Sequence, residues 1–210
     1  MWDDRTDCAR EGTTEDGAAA REAHLRAFRA HWQSCRKGHD VPARADIDPR
    51  RIEPLLAQTF IAERIAPGVV RLRIAGMHLS DLMGMEVRGM PLCSFIAPAD
   101  RADFALRLVD LFDGPAILRL DLQSRCGFGQ PALGATMLLL PLRSDLGDVS
   151  RALGCLVAHG PVGRPMRRFA IRHAETRPLD APLTPFALIL GDARAPRPAR
   201  PARAHLRLVT

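Results

Sequence analysis

The chain has 210 residues, of which 47% are hydrophobic, which is enough for one well-packed domain with appendages and short for two. Its formal net charge is +6, but only one of the 30 basic residues is a lysine, and this bias towards arginine weakens net charge as an argument for a nucleic-acid partner. The apolar runs, such as residues 137–140, fall far short of the roughly 20 residues that cross a bilayer, so we expect no membrane span.

The cysteines indicate the compartment. They are widely spaced, and no two form a C-x-x-C pair, which favours reduced thiols over a disulfide framework or a zinc site. The N-terminus is acidic and lacks the apolar run of a secretory signal. We therefore expect a cytoplasmic protein without a metal site. The five cysteines are Cys8, Cys35, Cys93, Cys126 and Cys155.

The N-terminal region divides into a polar leader and a helix. Residues 1–17 are charged and contain glycine, which predicts a disordered leader. Over residues 18–37, Leu25, Phe28 and Trp32 recur at helical spacing, so the helix is amphipathic. This stripe must be covered, either by the chain's own domain or by a second copy. Both interpretations stay open, and we take the three residues as the candidate dimer interface.

Two strands and several short helices follow. Asp48 is a natural N-cap for a short helix after a proline-rich linker. Residues 58–65 and 69–75 alternate polar and apolar side chains around an Ala-Pro-Gly turn, which predicts a hairpin. A single helical turn with Ser80 as N-cap should then end at Gly84. A longer helix is predicted over residues 99–112.

Three more strands are predicted over residues 116–124, 133–142 and 151–158. The order of elements is therefore β-β-α-α-α-β-β-β. It predicts an α+β fold in which an antiparallel sheet has its helices gathered on one face. Residues 166–173 fit a helical or an extended segment, and the Pro/Arg-rich residues 193–204 predict an extended C-terminal tail.

With these elements in order, the chain resembles a PAS domain, and in particular the single-PAS proteins of bacteria. The resemblance covers residues 32–158. It rests on motifs that are short individually but match in order and spacing. They are Trp32, Arg36 and Gly38, then residues 42–49, 73–76 and 83–89, the Pro-Ala-Asp-Arg step at residues 98–101, and the pairs at 141–142 and 153–154.

The resemblance implies a five-stranded antiparallel sheet whose inner face and covering helices enclose a pocket, with an N-terminal helix that often mediates dimers. We expect the PAS-like domain to span residues 18–160, followed by a C-terminal extension over residues 161–210. Four methionines between Met77 and Met90 suit either ordinary core filling or an adaptable apolar cavity. The candidate pocket residues are Met77, Met83, Leu92, Phe95 and Leu108.

The sequence argues against the common PAS cofactors. Haem needs an axial ligand, usually a histidine. The predicted helix over residues 99–112 contains none, and only His78 lies near the expected pocket. Cys93 lies where flavin-binding relatives carry a reactive cysteine, but the polar residues that hold the flavin are absent around it. The chain also lacks tyrosine, which excludes the tyrosine-dependent photoreceptor type of PAS domain. For catalysis, it has no H-E-x-x-H, G-x-S-x-G or P-loop motif. We expect neither haem nor flavin, no catalytic residues and no enzymatic activity.

These observations favour a stand-alone PAS sensory or regulatory module that acts in signal transduction through protein–protein contacts, as a homodimer and with a partner such as a kinase or cyclase. One alternative is a small-molecule sensor that uses the apolar pocket. The other is a nucleic-acid-associated regulator that uses the arginines of the tail, Arg194, Arg197, Arg200 and Arg203.

Overall fold

The computed structural model describes residues 15–38 and 40–179, with side chains from residue 17 onward. The α-helices in this part of the chain are α1 (Glu15–Ser34), α2 (Met77–Met83) and α3 (Arg101–Asp113). Short 3₁₀ helices lie at Arg44–Asp46, Pro49–Gln58, Leu92–Phe95 and Pro98–Asp100. The strands are β1 (Thr59–Ala66), β2 (Val69–Ala75), β3 (Ala116–Ser124), β4 (Leu133–Arg143), β5 (Val149–His159) and β6 (Ala170–Pro178).

The strands form one antiparallel sheet in the order β2-β1-β5-β4-β3-β6. The predicted five-stranded sheet is confirmed, and β6 extends it by pairing with the outer edge of β3. The sequence did not predict β6, because consecutive residues such as Arg172 and His173 are both exposed and leave no alternating pattern. An edge strand of this kind gives only a weak signal.

The inner face of the sheet carries the larger of the two cores. Phe60 of β1 and Leu72 of β2 pack there with Phe104 of α3, and all three side chains are fully buried. Phe60 lies opposite Gly154 of β5. A Cβ atom at residue 154 would lie 2.3 Å from the ring of Phe60, so this close approach of the ring to the strand requires glycine.

The outer face carries a second core beneath α1. Phe28 and Trp32 pack there with residues from three strands. The indole nitrogen of Trp32 donates a hydrogen bond of 2.9 Å to the carbonyl of Pro141, and Glu22 pairs with Arg119 of β3 at 2.9 Å. The N-terminal helix α1 therefore lies on the outer face, while α2 and α3 lie together on the inner face, as predicted for the helices between the second and third strands. The strand residues of this core are Ile117, Leu138, Leu140, Leu142, Leu153, Cys155 and Val157.

The packed structure continues past residue 160. Residues 160–169, which we call the strap, lead from β5 to β6 across the inner side of the molecule. The backbone N–H of Arg167 donates to the carbonyl of Leu82, and that of Phe169 donates to the carbonyl of Phe95, both at 2.8 Å. Phe169 is fully buried in the inner core. The strap and β6 therefore belong to the same packed unit as the strands before them.

Two local features differ from the sequence predictions. Helix α2 begins after Gly76 rather than at Ser80, although it ends at Gly84 as predicted, with a φ of 71°. Cys126 is disulfide-bonded, so the prediction of reduced thiols is wrong at that residue, while Cys35, Cys93 and Cys155 are free. Within residues 15–38 and 40–179, no helix is both long and apolar enough to cross a membrane.

Candidate functional site

The structure brings four of the five candidate pocket residues together and separates the fifth. Met83, Leu92, Phe95 and Leu108 lie in the inner core and are at most 3% exposed. Met77 is 72% exposed, because it lies at the first position of α2 on the side away from that core. The four buried side chains thus fill the interior together, and Met77 is separate from them at the surface.

The candidate dimer residues lie inside the chain's own outer core. Leu25, Phe28 and Trp32 are covered by the sheet and are 5%, 1% and 0% exposed. This arrangement corresponds to the interpretation in which the domain covers its own helix. It leaves these three side chains almost no surface to offer to a second copy, so a dimer through α1 stays a prediction that would have to use other residues of the helix.

The outer face is open over β1 and β2, where α1 does not reach. An apolar cleft of about 400 Å³ lies there, between these strands and residues 44–58, which we call the 3₁₀ bracket. Ile74 and Leu56 at its mouth are 50% and 47% exposed. The other apolar residues that line the cleft include Ala45, Ile47, Pro49, Ile52, Ile61 and Leu153.

A β-bulge shapes the open end of this cleft. Ile61 pairs with Ile74 but Ala62 pairs with Leu72, so Arg73 is an extra residue in β2. A bulge of this kind bends the strand and redirects its side chains. Both Arg73 and Ile74 are consequently exposed, beside Ile61 and the 3₁₀ bracket.

A charged cleft of about 460 Å³ adjoins the apolar one and shares Arg44, Ile61 and Ile74 with it. Four arginines and two carboxylates line it, so it carries a positive charge. Arg73 is paired with Glu63, and Arg151 with Asp145 at 2.9 Å. Arg44 and Arg88 are exposed and form no ion pair within residues 17–38 and 40–179. These two guanidinium groups are therefore available to an acidic partner group.

A histidine ties the 3₁₀ bracket to α1. The backbone N–H of Asp48 donates to Nε2 of His31 at 3.1 Å, and the carboxylate of Asp48 accepts a hydrogen bond from the N–H of Arg50 at the start of Pro49–Gln58. His31 is 9% exposed, and burial lowers its pKa. Because Nε2 accepts this hydrogen bond, the imidazole is neutral, and its protonation would break the link.

A family model for the PAS domain matches residues 20–157. The chain belongs to the PAS domain family. A comparison with curated proteins finds no match. Because PAS domains are sensory and regulatory modules of signal transduction, the chain carries a module of that class. Both clefts are formed by residues within the PAS match, whereas the strap and β6 follow it.

Sequence reasoning did not find the clefts of this PAS domain. The residues that form them come from the 3₁₀ bracket, strands β1, β2 and β5, the β4–β5 turn and the loop after α2, and no spacing in the sequence brings these together. Nothing in the sequence marked Ile74 as exposed, since it continues the regular alternation of residues 70–74, which the bulge at Arg73 interrupts only in the structure. No group of three or more potential metal ligands exists in the described part of the chain. The predicted tail arginines lie outside it.

Proposed function

We propose that this PAS domain is a regulatory module that acts through protein–protein contact, and that the apolar and charged clefts together form its docking surface. The observation that carries this proposal is the open apolar cleft of about 400 Å³ beside Arg44 and Arg88, which form no ion pair with the residues that the structure describes. Exposed apolar surface rimmed by polar groups is typical of interaction sites. We assign the module no catalytic role.

The charges of the docking surface define the partner chemistry. A segment with bulky apolar side chains would fill the apolar cleft, and an acidic residue beside them would pair with Arg44 or Arg88. Charged rims of this kind chiefly steer association and set specificity. A second copy placed symmetrically on this surface would bring like charges together. We therefore propose a different protein, such as a signalling kinase or cyclase, as the partner at this surface.

The hydrogen bond to His31 connects the docking surface to α1, so that binding at this surface can affect the helix. One wall of the apolar cleft is the 3₁₀ bracket, and His31 joins that bracket to the helix. A partner that shifts the bracket would change this contact and the seating of α1 on the sheet. Such shifts of packed helices are a common way to transmit binding.

The proposal is tested by photo-crosslinking in cells. A photoreactive amino acid at residue 74 of the full chain should capture a specific partner, and the same amino acid at residue 106 should not. Leu106 is 68% exposed on α3 and serves as the matched control. The purified partner should then bind the Leu106→Asp variant as well as the wild type, and should bind Ile74→Asp at least about tenfold more weakly. Equal binding by both variants would contradict the proposal.

Small-molecule sensing in the interior is the competing hypothesis. Met83, Leu92, Phe95 and Leu108 fill the inner core in the structure, so a ligand there would have to displace packed side chains. Native mass spectrometry of the full chain separates the two hypotheses. A co-purifying apolar molecule favours the sensor, and the mass of the polypeptide alone favours the docking module.

A further inference from the structure

The strap contains a buried arginine without a counter-ion. Arg167 is 0% exposed, and its Nη2 donates a hydrogen bond to the carbonyl of Pro131. Its Nε and Nη1 atoms are buried and have no hydrogen-bond partner among the described residues. No carboxylate within residues 17–38 and 40–179 pairs with it. A positively charged guanidinium group is thus buried in the protein, and only one of its three nitrogen atoms donates a hydrogen bond to the described residues.

This state is costly because a guanidinium group cannot shed its proton in a protein. Buried charges in folded proteins are paired or fully hydrogen-bonded, since removing an ion from water without compensation is strongly unfavourable. Within residues 17–38 and 40–179 the chain supplies a single carbonyl. The two remaining donors therefore point to an acceptor that is not among these residues.

We propose that Arg167 anchors a binding site for a small oxyanion, the carboxylate or phosphate group of a ligand, beneath the strap. The acceptor oxygens of such a group can accept hydrogen bonds from Nε and Nη1, and its negative charge can balance the charge of the guanidinium. The site lies beyond residues 20–157 that match the PAS domain. It is also independent of the docking surface on the outer face.

The backbone of the strap on either side of Arg167 has features that would let a ligand reach the guanidinium group. Met166 has a φ of 64°, a left-handed conformation that is strained for a residue with a side chain. Gly160 and Gly163 also have positive φ values. The exposed part of the strap is held to the β3–β4 connection by the side chain of Gln130, which donates to the carbonyls of Arg164 and Pro165 at 3.2 and 3.0 Å. Release of these contacts would lift the strap.

The test compares oxyanions with chloride on the full-length protein. Thermal unfolding is followed in the potassium salts of phosphate, acetate and butyrate, each against potassium chloride at equal ionic strength. Phosphate stabilises folded proteins in general, so the readout is the rise in midpoint temperature of the wild type beyond that of Arg167→Met, and we expect such an excess with at least one oxyanion. A larger effect of phosphate indicates a phosphorylated ligand, and a larger effect of butyrate indicates an apolar carboxylate.

Two variants locate the effect. Arg167→Met should weaken the anion response at least about tenfold in apparent affinity. Arg168→Met, at the adjacent exposed arginine, should keep it. If Arg167→Met does not fold, the Nε–H resonance of Arg167 in the wild type, assigned by NMR, should shift on addition of the effective anion. A wild type indifferent to oxyanions, an equal response in Arg167→Met, or an unmoved Nε–H resonance would overturn the proposal.

Discussion

The two faces of the sheet are closed to different extents. On the inner face, α2, α3 and the strap cover the strands, and Phe60 of β1 is fully buried. On the outer face, α1 covers β3, β4 and β5 but not β1 and β2, and Ile74 of β2 is half exposed. The covered regions hold the apolar surface that stabilises the fold. The uncovered region holds apolar surface that contributes little to the fold and remains available for binding.

The largest effect is expected when a covered residue of the outer face is compared with an uncovered one. Trp32→Ala removes a fully buried side chain and its hydrogen bond to Pro141, so we expect the free energy of unfolding to fall by about 3–5 kcal/mol. Ile74→Ala should change it by no more than about 0.5 kcal/mol. Urea denaturation measures both. Similar losses from the two substitutions would refute the distinction between covered and uncovered regions.

A smaller effect tests how tightly the inner face is packed. Gly154→Ala would place a Cβ atom against Phe60 and Leu139, and overpacking of this kind should lower the free energy of unfolding by about 1–3 kcal/mol. Gly114→Ala is the matched control, because a Cβ atom there meets no atom within 4 Å. Combining Gly154→Ala with Phe60→Leu should recover part of the loss. A Gly154→Ala variant as stable as the Gly114→Ala control would mean that the inner face is loosely packed.

The smallest effect concerns the link between α1 and the 3₁₀ bracket. Burial lowers the pKa of His31, with a further contribution from Arg51; burial also lowers the pKa values of His78 and His159. Each group binds protons more weakly when folded than when unfolded. The stability that these groups lend is therefore present above the ordinary histidine pKa of 6.5 and is lost as the pH falls through it.

Urea denaturation between pH 8 and pH 5 measures this loss. His31→Gln should flatten the profile, and an NMR titration should place the pKa of His31 below 6.5. His24→Gln is the control, because it removes an exposed histidine from the same helix. A profile that stays equally steep in His31→Gln would show that this link is not sensitive to pH.

The sequence predicted those parts of the fold whose side chains alternate. The limits of β2 and β3 agree with the predicted residues 69–75 and 116–124, because apolar and polar residues alternate along most of both strands. Strand β6 was missed because it is an edge strand without that period. The start of α2 was misplaced because Gly76 is needed for a contact distant in sequence. A Cβ atom there would lie 2.2 Å from the carbonyl oxygen of Ala57.

The candidate site was harder to predict than the fold. An apolar stripe such as Leu25, Phe28 and Trp32 has the same pattern whether it faces its own sheet or a second copy, so only coordinates could separate the two. The apolar cleft depends on a bulge at Arg73 and on where α1 stops across the sheet. Neither is encoded in a local pattern. The sequence likewise does not show that Arg167 is buried, because it is one of many arginines in this chain.

The sixth strand has a consequence for how this protein can be handled. Strand β6 occupies the backbone hydrogen-bonding groups along the free edge of β3, from residue 116 to residue 123. A fragment cut at residue 157, where the family match ends, would leave that long edge bare. Unprotected strand edges are templates for edge-to-edge aggregation. Strand β6 becomes the edge in place of β3, and its charged residues Arg172, Glu175 and Arg177 and its final Pro178 disfavour pairing with strands of other molecules.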